Sequence, residues 1–283
     1  MPAAEPLSLA YSPCPNDTYI FAAWATGLLD GAPPVRVSLD DVETLNDAAF
    51  GARYALTKIS YGAIPLLGDR YRILRSGGAL GRGCGPLLVV RGGGGVPGTL
   101  SSLARDARIA IPGTMTTAYL LLRLALGYQP NVTVLRFDRI VDAVASGAVD
   151  AGLIIHESRF TYGAQGLRCI ADLGEWWEHE TGRPIPLGAI LVRRDVPDDA
   201  ARALGATVRA SLAYARAHEA EVSPYIREYS QELDPTVIRA HIDLYVNGYS
   251  DDVGADGIAA VDELFVRASR GGLIPSGTRP DFV

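Results

Sequence analysis

Residues 85–98 have the sequence Gly85-Pro-Leu-Leu-Val-Val-Arg-Gly-Gly-Gly-Gly-Val-Pro-Gly98. The first half is a continuous apolar run, and the second half is too rich in glycine and proline to form a helix or a strand. Residues 85–91 fit a strand that is buried on both faces. The glycines and the proline of residues 92–98 favour a crossing between structural units. The run Ile-Leu-Val-Arg at residues 190–193 resembles the apolar run at residues 87–91, and the two runs flank the middle of the chain. We therefore expect the chain to cross twice between two lobes, with a ligand cleft between them.

Short apolar runs alternate with amphipathic stretches on both sides of residues 92–98, which is typical of α/β architecture. Beyond residue 198 the pattern is almost wholly helical up to residue 271. The predicted fold is thus a two-lobed α/β fold with a helical C-terminal part. The expected divisions are lobe 1 at residues 1–91 and 190–283, lobe 2 at residues 99–184, and crossover segments at residues 92–98 and 185–189.

Composition and charge exclude several classes of protein. The chain has 283 residues, of which 48% are hydrophobic and 20% charged, so it can bury a sizeable core. A net charge of −6 gives no general attraction for nucleic acid or anionic membranes. No apolar run approaches the roughly 20 residues that cross a bilayer, and the first ten residues carry no secretory pattern. We expect a cytoplasmic protein with no nucleic-acid partner and no membrane insertion.

The usual sequence motifs for metals and nucleotide cofactors are missing. The Gly-rich segment 78–85 matches neither the dinucleotide fingerprint nor a P-loop. The pair His156-Glu157 lacks the second histidine of a zinc protease motif. The three cysteines are too widely spaced for a disulfide framework or a zinc signature. We therefore predict no metal and no cofactor.

Four polar clusters follow predicted strands, at the edge where open α/β sheets bind ligands. Hydroxyl and backbone N–H groups at a helix start suit a carboxylate, and a nearby lysine would add positive charge. Histidine can act as a general base near neutral pH, since its ordinary pKa is about 6.5. The predicted strands are Leu7–Tyr11, Tyr54–Thr57, Arg108–Ile111 and Ala151–Ile155. The candidate site residues that follow them are Ser12, Asn16, Asp17, Lys58, Ile59, Ser60, Thr116, Thr117, His156 and Glu157.

Structural roles remain open for the same residues. A threonine pair at a helix start is often an N-cap that needs no ligand, and a histidine after a strand is often structural. Lys58, the only lysine beside 25 arginines, is equally a surface residue or a salt-bridge partner. We expect Cys14 to be a small buried residue, and Trp176 and Trp177 to pack in the core and between the lobes. His241 is predicted to lie on a solvated helical face. Asp41 is predicted to cap a helix, and Asn16 or Asp17 is predicted to be the N-cap of the helix that follows the first strand.

Many separate motifs run in order along the chain from about residue 7 to residue 193. The motifs are Ser12-Pro-Cys-Pro-Asn-Asp-Thr18, Asp41-Val-Glu-Thr-Leu-Asn46, Lys58-Ile-Ser60, Gly81-Arg-Gly-Cys-Gly-Pro-Leu-Leu-Val89, Ile111-Pro-Gly113, Thr116-Thr-Ala118, Gly152-Leu-Ile-Ile-His-Glu157, Arg159-Phe-Thr-Tyr162, Asp172-Leu-Gly-Glu-Trp-Trp177 and Pro184-Ile-Pro-Leu-Gly188. Together they closely resemble the 1,4-dihydroxy-6-naphthoate synthase family of the futalosine pathway to menaquinone.

The resemblance implies a type II periplasmic-binding-protein-like fold adapted as a cytoplasmic, cofactor-independent lyase. Its substrate would be cyclic dehypoxanthine futalosine, an acidic aromatic small molecule. Its products would be 1,4-dihydroxy-6-naphthoate and a three-carbon fragment, dihydroxyacetone. The family's proposed proton acceptor falls on His156. Its substrate contacts fall on Lys58, Ile59, Ser60, Thr116 and Thr117.

Two other functions share this fold and remain open at this stage. A chorismate dehydratase of the same pathway is disfavoured by the motifs at residues 12–17 and 154–157. A non-catalytic anion-binding protein would bind its ligand and release it unchanged. The group that protonates the leaving fragment also stays open, with Glu157, Ser12 and a water as candidates.

Overall fold

The computed structural model describes residues 5–93, 98–230 and 234–283. Within these ranges the chain builds two mixed β-sheets with helices packed around them, and a run of helices completes the carboxyl-terminal part. The strands are β1 (Leu7–Tyr11), β2 (Val35–Leu39), β3 (Leu56–Ser60), β4 (Tyr71–Ile73), β5 (Ala79–Gly81), β6 (Leu87–Arg91), β7 (Arg108–Ile111), β8 (Asn131–Val134), β9 (Ala151–Ile154), β10 (Leu167–Asp172) and β11 (Ile185–Arg193).

The helices of the first two thirds of the chain lie between strands, and five further helices follow β11. This confirms the predicted helical carboxyl-terminal part. The helices are α1 (Pro15–Ala25), α2 (Val42–Phe50), α3 (Thr117–Leu126), α4 (Ile140–Ser146), α5 (Ser158–Thr161), α6 (Leu173–Thr181), α7 (Asp198–Ala217), α8 (Glu219–Tyr229), α9 (Pro235–Tyr245), α10 (Gly248–Asp251) and α11 (Gly254–Arg270).

The first sheet has the strand order β2-β1-β3-β11-β4, with β5 also paired to β11. Strand β1 is parallel to β2 and β3, whereas β11 runs antiparallel to its neighbours. The second sheet has the order β10-β6-β9-β7-β8, in which β7 is parallel to β8 and β9. The two mixed sheets confirm the predicted two-lobed α/β fold.

The chain passes from one sheet to the other earlier than the sequence predicted. Strand β6 pairs with β9 and β10 of the second sheet, although it was assigned to lobe 1 as part of residues 1–91. The passage between β5 and β6 therefore spans residues 82–86. An apolar strand buried on both faces fits either sheet, so its composition could not assign it. Residues 94–97 of the expected crossover lie outside the described residues.

The return passage is also shorter than predicted. Residues 185–189, predicted as a crossover, form the first half of β11 and pair with β5 of the first sheet. The return from the second sheet therefore falls between the end of α6 and β11, at residues 182–184. Gly182 ends α6 in the left-handed conformation that glycine adopts readily. Trp177 of α6 is fully buried, as the sequence predicted.

Local capping explains where two site helices begin. Asp41 caps α2 by accepting hydrogen bonds from the backbone N–H groups of Glu43 and Thr44, as predicted. Helix α1 instead begins at Pro15, with Cys14 at the N-cap position and no side-chain cap. The prediction of Asn16 or Asp17 as its N-cap is therefore wrong. Proline at the first helical position needs no N–H partner and fixes the backbone for the helix.

Candidate active site

One cavity lies between the two sheets and collects nearly all of the sequence-predicted site residues. It has a volume of about 700 Å³, part of which is open to solvent. Glu157 is buried next to His156 in the chain but does not line the cavity. Convergence of polar groups from several strand ends is expected for a ligand site in an open α/β fold. The predicted residues that line the cavity are Ser12, Asn16, Asp17, Lys58, Ile59, Ser60, Thr116, Thr117 and His156.

Lys58 and Asp17 form a buried ion pair in the cavity wall. The two side chains are 7% and 3% exposed, and Lys58 Nζ lies 2.5 Å from Asp17 Oδ1. Asp17 Oδ1 also accepts a hydrogen bond from Asn16 Nδ2 at 2.9 Å, and its Oδ2 accepts one from Ser12 Oγ at 2.7 Å. The charge of Lys58 is thus already balanced by a protein carboxylate. Lys58 is therefore a salt-bridge partner that also lines the cavity, and the alternative of a surface residue is wrong.

Ser60 is held at the end of β3 by a side chain from α2. Its backbone N–H donates to Asn46 Oδ1 at 2.9 Å, and Asn46 Nδ2 donates to Ser60 Oγ at 3.2 Å. Asn46 Nδ2 is in turn 3.0 Å from Glu43 Oε2. Because Ser60 Oγ accepts from the protein, its own hydroxyl proton is available to a ligand oxygen. Strand β3 ends at Ser60 rather than Thr57, so Lys58 and Ile59 lie within the strand.

The two threonines at the start of α3 use their hydroxyl groups on the protein itself. Thr116 Oγ1 accepts from the backbone N–H of Tyr119, so Thr116 is the N-cap of α3. Thr117 Oγ1 donates to the carbonyl of Leu187 at 2.6 Å and accepts from the N–H of Gly62 at 3.0 Å. The groups left for a ligand are the first backbone N–H groups of α3, where the helix dipole favours an anion.

His156 follows β9 and presents a neutral imidazole to the cavity. Burial lowers its pKa from 6.5 to about 4, and the nearby Lys58 charge acts in the same direction against the attraction of Asp17. Its backbone φ of 57° lies in the left-handed region, which a non-glycine residue rarely adopts. Neither ring nitrogen has a hydrogen-bond partner within the described ranges. The ring packs edge-on against Phe137 with centroids 5.0 Å apart. This imidazole is free to accept a proton from a ligand.

Two lining residues of α9, His241 and Tyr245, were missed from the sequence. His241 is fully buried rather than solvated, and its Nε2 lies 2.9 Å from Asn16 Oδ1. The sequence does indicate this burial, because Ile238, Ile242 and Tyr245 form an apolar face at helical spacing. His241 falls on that face, one position before Ile242. A histidine on an apolar helical face should therefore have been assigned to the interior.

A second grouping of side chains lies beside the cavity. Cys14, His156 and Glu157 offer ligand atoms that all lie within 4.8 Å of one another. Burial raises the pKa of the Cys14 thiol, and the Glu157 charge adds to this effect. Because the metal-binding form of cysteine is the thiolate, a cation would first have to displace that proton. Cys14 is a small buried residue, as the sequence predicted.

Two curated proteins resemble the chain along nearly its whole length. A family profile described as menaquinone biosynthesis matches residues 7–270. The chain is 52% identical over 280 residues to a 1,4-dihydroxy-6-naphthoate synthase of Thermus thermophilus, covering 99% of this chain and 100% of the relative. It is 44% identical over 279 residues to the protein of that name from Streptomyces coelicolor, covering 97% and 96%.

Solved structures agree on the fold. A protein of Archaeoglobus fulgidus superposes with a TM-score of 0.87 at 36% identity, covering 95% of this chain and 98% of that one. The alkanesulfonate-binding protein SsuA of Xanthomonas axonopodis superposes with a TM-score of 0.73 at 18% identity, covering 97% and 96%. The chain thus has the periplasmic-binding-protein fold. Over the ranges that the structure describes, no helix is long and apolar enough to span a bilayer.

Proposed function

The chain belongs to the menaquinone biosynthesis family that contains the 1,4-dihydroxy-6-naphthoate synthases, and from that premise we propose its reaction. It is a carbon–carbon lyase that converts cyclic dehypoxanthine futalosine into 1,4-dihydroxy-6-naphthoate and dihydroxyacetone. The two products together contain the atoms of the substrate, so the reaction consumes neither water nor an oxidant. The protein has to bind the acidic aromatic substrate, remove one proton and return it.

One observation carries the proposal: the neutral imidazole of His156, which has no hydrogen-bond partner among the described residues, lines the same cavity as the amino end of α3. The reaction needs a base for a hydroxyl proton and a separate place for an acidic group. His156 supplies the first, because the lowered pKa keeps it unprotonated at neutral pH. The N–H groups of α3 and the Ser60 hydroxyl supply the second. Both features support a lyase acting on an acidic substrate.

The chemical step follows from this placement. His156 accepts the proton of a hydroxyl group on the sugar-derived ring, and the resulting alkoxide collapses to a carbonyl. The adjacent carbon–carbon bond breaks as in a retro-aldol reaction, its electron pair leaves with the sugar-derived fragment, and the carbonyl left on the ring system enolises to the aromatic hydroquinone. The proton returns to the separating fragment. A positioned base contributes about 10²–10⁴-fold to such a rate. Gain of the aromatic hydroquinone drives the step.

Contacts between the lobes support a water-poor cavity. Glu43 of α2 accepts hydrogen bonds from the N–H of Met115 at 3.1 Å and from Thr114 Oγ1 at 3.3 Å. Thr117 ties the start of α3 to Leu187 of β11. Both contacts join the first-sheet side to the loop and helix after β7. Closure of this kind excludes water and holds the leaving fragment in line.

Chorismate dehydration and ligand binding without turnover are the alternatives. The solute-binding proteins with this fold share only low identity with the chain, so they support the fold and not the activity. The purified protein is incubated in parallel with cyclic dehypoxanthine futalosine and with chorismate, and the products are followed by mass spectrometry. We expect naphthoate from the first substrate and no dehydration of the second. Dehydration of chorismate, or recovery of both compounds unchanged, would refute the proposed function.

A further inference from the structure

His241 is a buried imidazole in the cavity wall that the mechanism above does not use. It lies on α9, is 0% exposed and lines the cavity. Its Nε2 is 2.9 Å from Asn16 Oδ1, while its Nδ1 is buried and has no hydrogen-bond partner among the described residues. Buried polar atoms without a partner are rare in folded proteins and call for an explanation.

The neighbours of Asn16 fix which nitrogen of His241 carries the proton. Lys58 Nζ pairs with Asp17 at 2.5 Å, and Asp17 Oδ1 accepts from Asn16 Nδ2 at 2.9 Å. The amide is thereby oriented with its oxygen towards His241. Because a carbonyl oxygen only accepts, His241 Nε2 must be the protonated nitrogen. Burial lowers the pKa of His241 well below its ordinary value, with His156 and Lys58 adding to the effect, so Nδ1 keeps a free lone pair.

The ring of His241 is also fixed in place. Its centroid lies 4.7 Å from that of Tyr245 and 6.3 Å from those of Phe160 and His156. The rings of His241 and His156 are within 19° of parallel. Turning the ring to satisfy Nδ1 would break the bond to Asn16 and disturb this packing. The acceptor at Nδ1 is therefore preorganised beside the proposed base.

We infer that His241 recognises a hydroxyl group of the substrate, its Nδ1 accepting a hydrogen bond from a ligand O–H close to His156. The inference rests on the proposed function, whose substrate carries hydroxyl groups on its sugar-derived ring. A carboxylate has no proton to donate and is repelled by the lone pair. His241 therefore selects the hydroxyl-bearing end of the ligand, and the amino end of α3 takes the acidic end. This sets the direction in which the substrate lies in the cavity.

The first test reads the imidazole nitrogens directly. Protein labelled with ¹⁵N-histidine and carrying His156→Asn, which consumes the substrate slowly, is titrated with cyclic dehypoxanthine futalosine, and His241 is assigned by comparison with the same variant carrying His241→Gln. We expect one protonated and one unprotonated nitrogen in the free variant, and a shift of the unprotonated one when the ligand binds. Such a shift, together with a wild-type protein that releases no naphthoate, would support the inference while refuting the proposed function. An unshifted Nδ1 overturns the inference, whether or not the protein is active.

The second test compares two substitutions of His241, one that keeps the hydrogen-bond donor at the position of Nε2 and one that keeps an acceptor near the position of Nδ1. His241→Gln retains a donor for Asn16 and lacks the Nδ1 acceptor, whereas His241→Asn places an amide oxygen near Nδ1. We expect His241→Gln to raise the KM for the substrate about tenfold, the loss of one hydrogen bond, and His241→Asn to recover part of it. The product lacks the sugar-derived hydroxyls, so its Kd should not change. Equal weakening of substrate and product binding would indicate a structural role and overturn the inference.

Discussion

Lys58→Met should destabilise the protein strongly, because it leaves the carboxylate of Asp17 buried without its cation. Asp17 is 2% exposed and, among the described residues, would keep only the hydrogen bonds from Ser12 and Asn16. Removing one member of a buried ion pair costs about 3–5 kcal/mol. Because Asp17 keeps two hydrogen bonds, we expect Lys58→Met to lower the free energy of unfolding by about 3 kcal/mol, near the lower end of that range. The double variant Lys58→Met/Asp17→Asn removes both charges and should recover part of that loss.

Urea unfolding followed by tryptophan fluorescence measures these free energies, since the chain contains three tryptophans. The matched control is Arg202→Met, which removes an exposed partner of Asp199 and should cost less than about 1 kcal/mol. If the stability lost in the double variant equals the sum of the losses in Lys58→Met and Asp17→Asn, the two side chains are not coupled and the ion-pair explanation is refuted. Lys58→Arg should raise the substrate KM or lower turnover, because the side chain is confined: even a Cβ atom added at Gly188 would lie only 2.9 Å from Lys58 Cε.

Three further variants test the contacts and the proton balance of the site. Thr117→Val leaves the backbone N–H of Gly62 without its partner and removes one of the two donors to the Leu187 carbonyl, so urea unfolding should report a loss of stability of about 1–3 kcal/mol. Glu43→Ala removes the contact between lobes and should raise the substrate KM with little change in stability, while the exposed Asp47→Ala on the same helix should leave KM unchanged. Protonation of His156 is disfavoured in the folded state, so wild-type stability should fall as pH drops from 6.5 to about 4, and His156→Asn should lose less over that window. Equal losses in the two proteins would contradict the lowered pKa.

Local sequence patterns predicted most of the elements and the strand ends at which the candidate site residues lie. Polar residues that follow the predicted strands were expected at the carboxyl-terminal edge of the sheets, and the capping preferences correctly placed Asp41 and Thr116 at helix starts. These features depend on neighbours within a few residues, so the sequence contains the information directly. The sequence also predicted that Trp177 packs in the core, and this side chain is fully buried.

Pairings between distant residues could not be predicted in this way. Lys58 and Asp17 are separated by 41 positions, and the bond between His241 and Asn16 joins positions 225 apart. Strand β6 pairs with β9 and β10 in the second sheet. Because it is apolar on both faces, its composition fits either sheet, and its partners depend on the topology of the whole chain. The Thr117 hydroxyl bridges to Leu187, which only the approach of the two lobes brings within reach.

The most direct test of the central claim measures binding and turnover of His156→Asn separately. We expect this variant to bind 1,4-dihydroxy-6-naphthoate with nearly the wild-type Kd and to lose turnover of cyclic dehypoxanthine futalosine by about 10²–10⁴-fold. The control His179→Asn changes an exposed histidine on α6 and should leave both quantities unchanged. Turnover of His156→Asn near the wild-type rate would contradict the assignment of His156 as the base.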